Sequence, residues 1–297
     1  MNWAIVTPSY KLDYDQCVLM CDSVDAFVQG DWHHYIIVNK VDRQMFAHLN
    51  GPRRTVLLNS EVLPSWLRYI GKLGKVRSGS MWFSWRTGII FGWHLQQIVK
   101  LNMASFLNEE IMLLVDSDVF FVRPLLLDSL NGKSGITLCR TFPAEGTGDE
   151  ILNAFNLQSQ KTLGLPPSTK QANSAHPLVV WHRQTVLEMC DYIGKRHKKH
   201  WIAAIYGYRA LSEGTLYGLY IDNIISDRNR FTMREISLVK GMRLTPPLSA
   251  DELEDFFNII SPDEYALVVP SPIQFDVGTL RKHFQKISDR KSHQLAN

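Results

Sequence analysis

Through its first 120 residues the chain alternates between short β-type runs and helical periodicity, and this alternation restricts the fold more than any other feature. "WAIVTPSY" begins at Trp3 and is closed by Thr7-Pro8-Ser9. Residues 13–28 then place Cys17, Met20, Cys21, Val24 and Phe27 at helical spacing. "HHYIIVNKVD" and "RRTVLLNS" read as a second and a third strand. "SWRTGIIFGWHLQQIVKLNMASF" (84–106) reads as one long helix, and "EEIMLLVDSDVFFV" (109–122) as a further strand. Strand, helix, strand, strand, helix, strand predicts an α/β sandwich with a mainly parallel central sheet. Such sheets bind ligands beyond the carboxyl ends of their strands, so "TPSY", "NKVD" and "DSD" become the segments of interest.

The second half is less regular. Residues 139–150 and 156–177 are rich in Pro, Gly, Ser, Thr and Gln and read as long loops. "LVVWHR" is expected to be a strand, "QTVLEMCDYIGKRHKKHW" a helix with a basic end, "LSEGTLYGLYIDNI" a helix, and "EYALVVPSPI" a late strand. With 297 residues, no internal repeat and no clean linker, one continuous domain is expected. Within it, 1–125 and 126–280 form two halves and 281–297 a charged tail. The net charge of +3 gives no reason to expect nucleic acid. No apolar run is long enough to span a bilayer, and the start of the chain shows no secretory leader pattern. The four cysteines lack zinc-type spacing, and Cys17 and Cys21 fit one helix face, so a reducing, cytoplasmic setting is expected.

"LLVDSDVFFVRP" (113–124) sets two carboxylates into an apolar run. In an extended chain Asp116 and Asp118 would point the same way, with Ser117 opposite. Two such carboxylates suit a hard divalent cation that also binds phosphates. An Asp-rich turn that caps backbone donors would use the same residues. This segment resembles the DxD segment of nucleotide-sugar glycosyltransferases of the GT-A fold. The resemblance extends to "WAIVTPSY", "GWHLQQIVKL" and "LSEGTLYGLY", whose order is that of a bacterial family of DxD-containing glycosyltransferases. It implies a GT-A-like, Rossmann-type α/β/α sandwich.

The resemblance further implies that Asp118 binds Mn²⁺ or Mg²⁺ directly. Asp116 would contact the ribose of the donor, or the metal through water. Thr7, Pro8, Ser9 and Tyr10, together with Ser117, would line the donor site, although "TPSY" reads equally as an ordinary turn. Asn39 to Asp42 is a weaker candidate for base recognition. On the helix that precedes the acidic run, Trp93, Gln97 and Lys100 can share a face. Arg86 and Gln97 are expected to reach the donor, while a core Trp93 and a solvated Lys100 are the commoner reading for such residues. Glu213, after Ser212, reads as an acidic first turn behind an N-cap. By resemblance it would be the catalytic carboxylate facing the acceptor. A third metal ligand would be a histidine, His176 first, with His182 and His283 as the other candidates. The basic run 194–201 reads as a solvated helix end, or as a patch for anionic lipid or an acidic acceptor, which would place the protein peripherally at a membrane.

The expected activity is transfer of a sugar from a nucleoside diphosphate, UDP first, to the hydroxyl of a glycan or glycolipid in surface-polysaccharide or lipopolysaccharide synthesis. A metal-dependent phosphoryl-transfer enzyme with an aspartyl nucleophile is the first alternative. It fits less well, because Val119 and Phe120 follow the acids. A nucleotide- or sugar-binding protein without turnover is the second.

Overall fold

A computed structural model describes residues 2–72, 80–132, 135–141, 150–168, 173–206, 210–241 and 260–269. The central sheet has five strands, here β1 (Trp3–Pro8), β2 (Trp32–Val38), β3 (Arg54–Leu58), β4 (Ile111–Val115) and β5 (Leu178–His182). Their spatial order is β5-β4-β1-β2-β3. The pairs β4-β1, β1-β2 and β2-β3 are parallel, and only β5 runs antiparallel, on β4. This is the expected α/β architecture with a mainly parallel sheet. Its strands read as continuous apolar runs because helices cover both faces: all of β4 is buried, as are Trp3 to Val6 of β1.

From β1 the chain moves outward through β2 and β3, then returns to the other side of β1 as β4. The strand order therefore reverses between β1 and β4. At such a switch point the loops leaving the two strands diverge and open a crevice at their carboxyl ends. "TPSY" leaves β1 there and "DSD" leaves β4.

Two helices flank this edge, here α1 (Tyr14–Phe27) and α2 (Gly92–Phe106). The expected helix over 84–106 is shorter in the structure. Gly88–Phe91 is a strand, and with Arg68–Lys72 and Ser80–Ser84 it forms a separate antiparallel sheet. The apolar spacing of Ile89, Ile90 and Phe91 suits a strand paired with Ser80–Ser84 as well as a helical turn, and Gly88 at φ +76° supplies the turn into it.

The expected loop over 156–177 also differs, since Glu150–Leu163 is a helix, α3. Its inward face starts and ends on the buried Leu152 and Leu163 but holds Asn156, Ser159, Gln160 and Thr162 between them, all buried, so the apolar stripe that periodicity would detect is interrupted. The helices expected after β5 and after Ser212 are present as α4 (Arg183–His197) and α5 (Glu213–Asn223). The late strand is present as Ala266–Val268. His283, residues 142–149 and the tail 281–297 lie outside the described residues.

Candidate functional site

The acidic pair is not part of an extended strand. β4 stops at Val115, and Asp116 to Asp118 form a turn closed by a hydrogen bond from the Val119 amide to the Asp116 carbonyl, 3.1 Å. Three neighbours hold the turn. The Asp116 amide donates to the Pro177 carbonyl (2.9 Å), which continues the β4-β5 ladder by one step. The Asp118 carbonyl accepts from the Val269 amide (3.0 Å), and the Val269 carbonyl accepts from Gln16 Nε2 on α1 (3.1 Å). The next strand, Val119–Phe121, leaves the central sheet and pairs with Ala266–Val268, and Ser23 Oγ accepts from the Phe121 amide. The strand is thus interrupted exactly where its carboxylates must leave the core, and the two face their surroundings from a fixed turn.

Lys100 joins this turn from α2. Its Nζ lies 2.7 Å from Asp116 Oδ1 and donates to Glu213 Oε1 at 2.9 Å. The reading of Lys100 as a solvated residue does not hold, because its side chain is 10% exposed. Burial opposes its charge, but the two carboxylates outweigh that cost and raise its pKa, so it stays an ammonium. Burial lifts the Asp116 carboxyl above its ordinary value against the pull of Lys100. With 38% of its side chain exposed, Asp116 remains open to a ligand on its other side. Among the described residues no salt bridge is formed by Asp118, which feels Lys100 only at longer range. Burial, then the charges of Asp116 and Asp13, push its carboxyl up to about 7. Asp13, in the turn of helix after β1, is therefore a third aspartate near the site, beside Asp116 and Asp118. Sequence reasoning missed it, and its only signal was its place just beyond "TPSY".

Glu213 reaches Lys100 because α5 packs close against the segment leading into β5. A Cβ at Gly214 would lie 2.4 Å from the Ser174 carbonyl oxygen, and one at Gly218 2.5 Å from Ser174 Oγ. Only glycine allows that approach. Ser212 caps the helix as expected, its Oγ accepting from the Thr215 amide at 3.2 Å. The cap is thus present as expected, and the ion pair with Lys100 brings Glu213 to the same ammonium as Asp116.

The other candidates separate into groups. Ser9 Oγ and both amide atoms of Gln97 are buried with no hydrogen-bond partner among the described residues. Gln97 lies one helical turn before Lys100 on α2, and Ser9 follows the last residue of β1. Buried polar groups are normally paired, so these two stand out beside the acidic turn, although Ser159 Oγ on α3 is likewise without a partner among the described residues. Tyr10 follows Ser9, partly exposed. Asn39 accepts from Asn59 Nδ2 at 3.0 Å, and Asp42 accepts from the Lys11 amide at 3.3 Å, which ties the loops after β1 and β2 together. Ser117 is buried inside the acidic turn.

His176 enters β5 beside Pro177, next to the acidic turn. Its Nε2 lies 3.0 Å from the Asn173 carbonyl, which can only accept, so Nε2 carries the proton and Nδ1 keeps its lone pair. Burial lowers its pKa and keeps the ring neutral. His182 stands at the far end of β5, where it pairs with Ile111 at the start of β4, and its Nδ1 bonds Thr185 Oγ1. Thr7 is fully buried and spends its hydroxyl on His34 Nε2 (3.0 Å), so its side chain belongs to the core beneath the site. Pro8 is likewise buried, at the end of β1. Trp93 stacks on Phe155 at 6.0 Å. Arg86 sits on an exposed hairpin turn over Trp66, 5.4 Å from the ring centroid, and not at the acidic turn.

Among the described residues no group of three or more His, Cys, Asp or Glu side chains is assembled to hold a cation. Asp116 and Asp118 nevertheless offer two carboxylates on one turn, the kind of oxygen donors that a hard cation arriving with phosphates takes. A surface cleft of about 620 Å³ lined by Trp3, Trp32, Arg53 and Glu109 opens at the amino-terminal ends of β1 and β2, the opposite edge of the sheet. No helix among the described residues is long and apolar enough to cross a membrane.

No curated protein matches the sequence. Among solved structures, the chain is similar to the crystal structure of an active-site mutant of LgtC, at 13% identity and a TM-score of 0.48, with 97% of this chain and 95% of that chain covered. A family model described as a family of unknown function, DUF6492, matches residues 4–237. That match covers most of the sequence, including both strands of the switch point, the acidic turn and Glu213, and the chain belongs to this family.

Proposed function

We propose that the protein is a glycosyltransferase that moves a sugar from a nucleoside-diphosphate donor, a UDP-sugar first, to a hydroxyl of a glycan or glycolipid, in surface-polysaccharide or lipopolysaccharide synthesis. One observation carries this reading. At the switch point of a parallel sheet, a rigid acidic turn stands beside a buried ammonium and unpartnered hydrogen-bonding groups. Such a site suits a ligand that brings its own cation and many polar oxygens, as a metal-bound diphosphate sugar does.

In this reading Asp118 and Asp116 would hold Mn²⁺ or Mg²⁺, whose remaining ligands would be water and the phosphates of the donor, and His176, although neutral and beside the turn, does not complete a three-residue ligand set. The metal would neutralise charge on the departing nucleoside diphosphate. Ser9 and Tyr10 line the nucleoside end, with the Asn39–Asp42 loop beside them. Gln97 meets sugar or phosphate oxygens. Lys100 fixes Asp116 and Glu213 at a set separation, so the metal-side and acceptor-side carboxylates move as one unit. Glu213 then orients the acceptor hydroxyl or takes its proton, and its Oε1 contact with the ammonium sets the direction of the second oxygen.

The test is a product assay on the full chain with a panel of nucleotide sugars. Release of UDP from one of them, lost in Asp118→Asn and in Glu213→Gln, supports the proposal. Phosphate release without any nucleotide sugar would instead favour phosphoryl transfer. Tight nucleotide binding without release of product would favour a binding protein.

A further inference from the structure

The hairpin sheet in front of α2 carries a feature that the proposed chemistry does not use. Its strands Ser80–Ser84 and Gly88–Phe91 pair Met81 with Phe91 and Phe83 with Ile89. Trp82 and Ile90 face inward and are buried, so by the two-residue period the other two pairs face outward. Ile89 is 39% exposed and Phe91 44%. The turn joining the strands holds Trp85, which is 96% exposed and packs edge-on against Phe83 at 5.2 Å. An outward apolar ladder with a tryptophan at its tip is not an ordinary solvated sheet face, and such patches mark interaction surfaces.

Cations border it on two sides. Arg68 pairs with Phe83 on the neighbouring strand and is exposed. Arg86 lies over Trp66, Trp66 meets His200 edge-on at 5.0 Å, and His200 follows the exposed Lys198 and Lys199. The Tyr206 hydroxyl also donates to the Ile89 carbonyl. The basic end of α4 and the Trp85 turn are therefore neighbours, which no sequence spacing reveals. From Val62 to Asn108 the chain has six Lys and Arg residues and no Asp or Glu. Of these, Arg68 and Arg86 are exposed on the hairpin sheet.

We infer that this face docks on an anionic lipid surface, with Trp85 in the headgroup layer and Arg86, Lys198 and Lys199 against lipid phosphates. The combination decides the partner. Tryptophan is favoured at the membrane–water interface, and neighbouring cations add attraction to anionic leaflets. The inference is independent of the reaction at the acidic turn. It would bring that turn near a lipid-borne acceptor, since the strand Gly88–Phe91 runs directly into α2 and Lys100 lies about 12 Å along that helix.

The full chain is sedimented with vesicles of phosphatidylcholine alone and with vesicles containing about 30% phosphatidylglycerol, at low and high salt. The expected result is binding to the anionic vesicles only, weakened by salt. Trp85→Ser should lower it about tenfold, and Lys198→Ser and Lys199→Ser about fivefold each. Trp85 is almost wholly exposed, so its variant should melt at the wild-type temperature, and circular dichroism checks this. Absence of vesicle binding by the wild type, or undiminished binding by Trp85→Ser, would overturn the inference. So would a wild-type dimer in light scattering that Trp85→Ser dissociates, since a second copy would then cover the face.

Discussion

Two polar clusters flank strand β1, and they are built in opposite ways. In the first, Arg54 donates to Asp25 Oδ1 (2.9 Å), to the Cys21 carbonyl (3.2 Å) and to His34 Nδ1 (3.1 Å), and His34 Nε2 faces Thr7 Oγ1 (3.0 Å). Burial, then the Arg54 charge, hold His34 well below its usual pKa, so its neutral ring donates to Thr7 and accepts from Arg54. Each of these side chains has a partner within the protein. In the second cluster, Lys100 serves two carboxylates, Asp118 and Asp13 add negative charge, and Gln97 and Ser9 have no partner among the described residues. A closed network of this kind holds a fold together, whereas an open one is completed by a ligand. Thr7 and Ser9 stand two residues apart in one motif and fall on opposite sides of that division.

The division is broken most severely at Lys100. Lys100→Met leaves Asp116 and Glu213 facing each other without their cation and should cost about 3–5 kcal/mol of stability. A Lys100→Met/Asp116→Asn/Glu213→Gln variant should regain most of it. Chemical denaturation of both variants measures the difference, and equal midpoints for wild type and Lys100→Met would mean the triad is not an energetic unit.

Next in size is the closed cluster. Arg54→Met strands the buried His34 and should cost about 1–3 kcal/mol, while the affinity of the folded protein for nucleotide stays unchanged. Thermal melts and titration of the same samples report both quantities. A fall in affinity alone would place Arg54 in the site.

The acidic turn makes a pH prediction. Asp118 is raised to about 7 in the folded state, so the folded protein holds that proton more tightly than the unfolded chain. Its contribution to stability is full below the ordinary carboxylate range and is lost as the pH rises through about 7. Asp118→Asn should remove this slope and, without ligand, be more stable than wild type at pH 8 by about 1–2 kcal/mol, allowing for partial exposure. Melting temperatures from pH 4 to about 8 would show parallel curves if the carboxyl were unperturbed.

The smallest expected change in stability is at Gln97. Gln97→Leu replaces an unpartnered amide with an apolar group and should leave the ligand-free protein within about 1 kcal/mol of wild type or above it. Nucleotide-sugar affinity should nevertheless fall about tenfold. Loss of stability with unchanged affinity would show that the amide serves the fold.

The mainly parallel sheet, the importance of its strand ends and the cap at Ser212 were legible in the sequence because they follow from local period and end signals, whereas the strand order that makes the switch point was not. The Asp116–Lys100–Glu213 link was not, since Lys100 and Glu213 meet across 113 residues and Lys100 alone reads as a surface cation. The turn form of "DSD" was the alternative reading and not the leading one, because an apolar run on both sides predicts one strand. The break arises from two different sheets claiming the two halves, β5 on one side and Ala266–Val268 on the other. The helix α3 was hidden by a buried face of polar residues, and the hairpin before α2 by an apolar spacing common to strand and helix.

The most direct test of the central claim is calorimetric titration of UDP and UDP-sugars, with and without Mn²⁺, into the wild type and Asp118→Ala. The account predicts binding that requires both Mn²⁺ and Asp118 and is strongest for one UDP-sugar. Equal binding by the two proteins, or none by the folded wild type with any of these nucleotides, would contradict it.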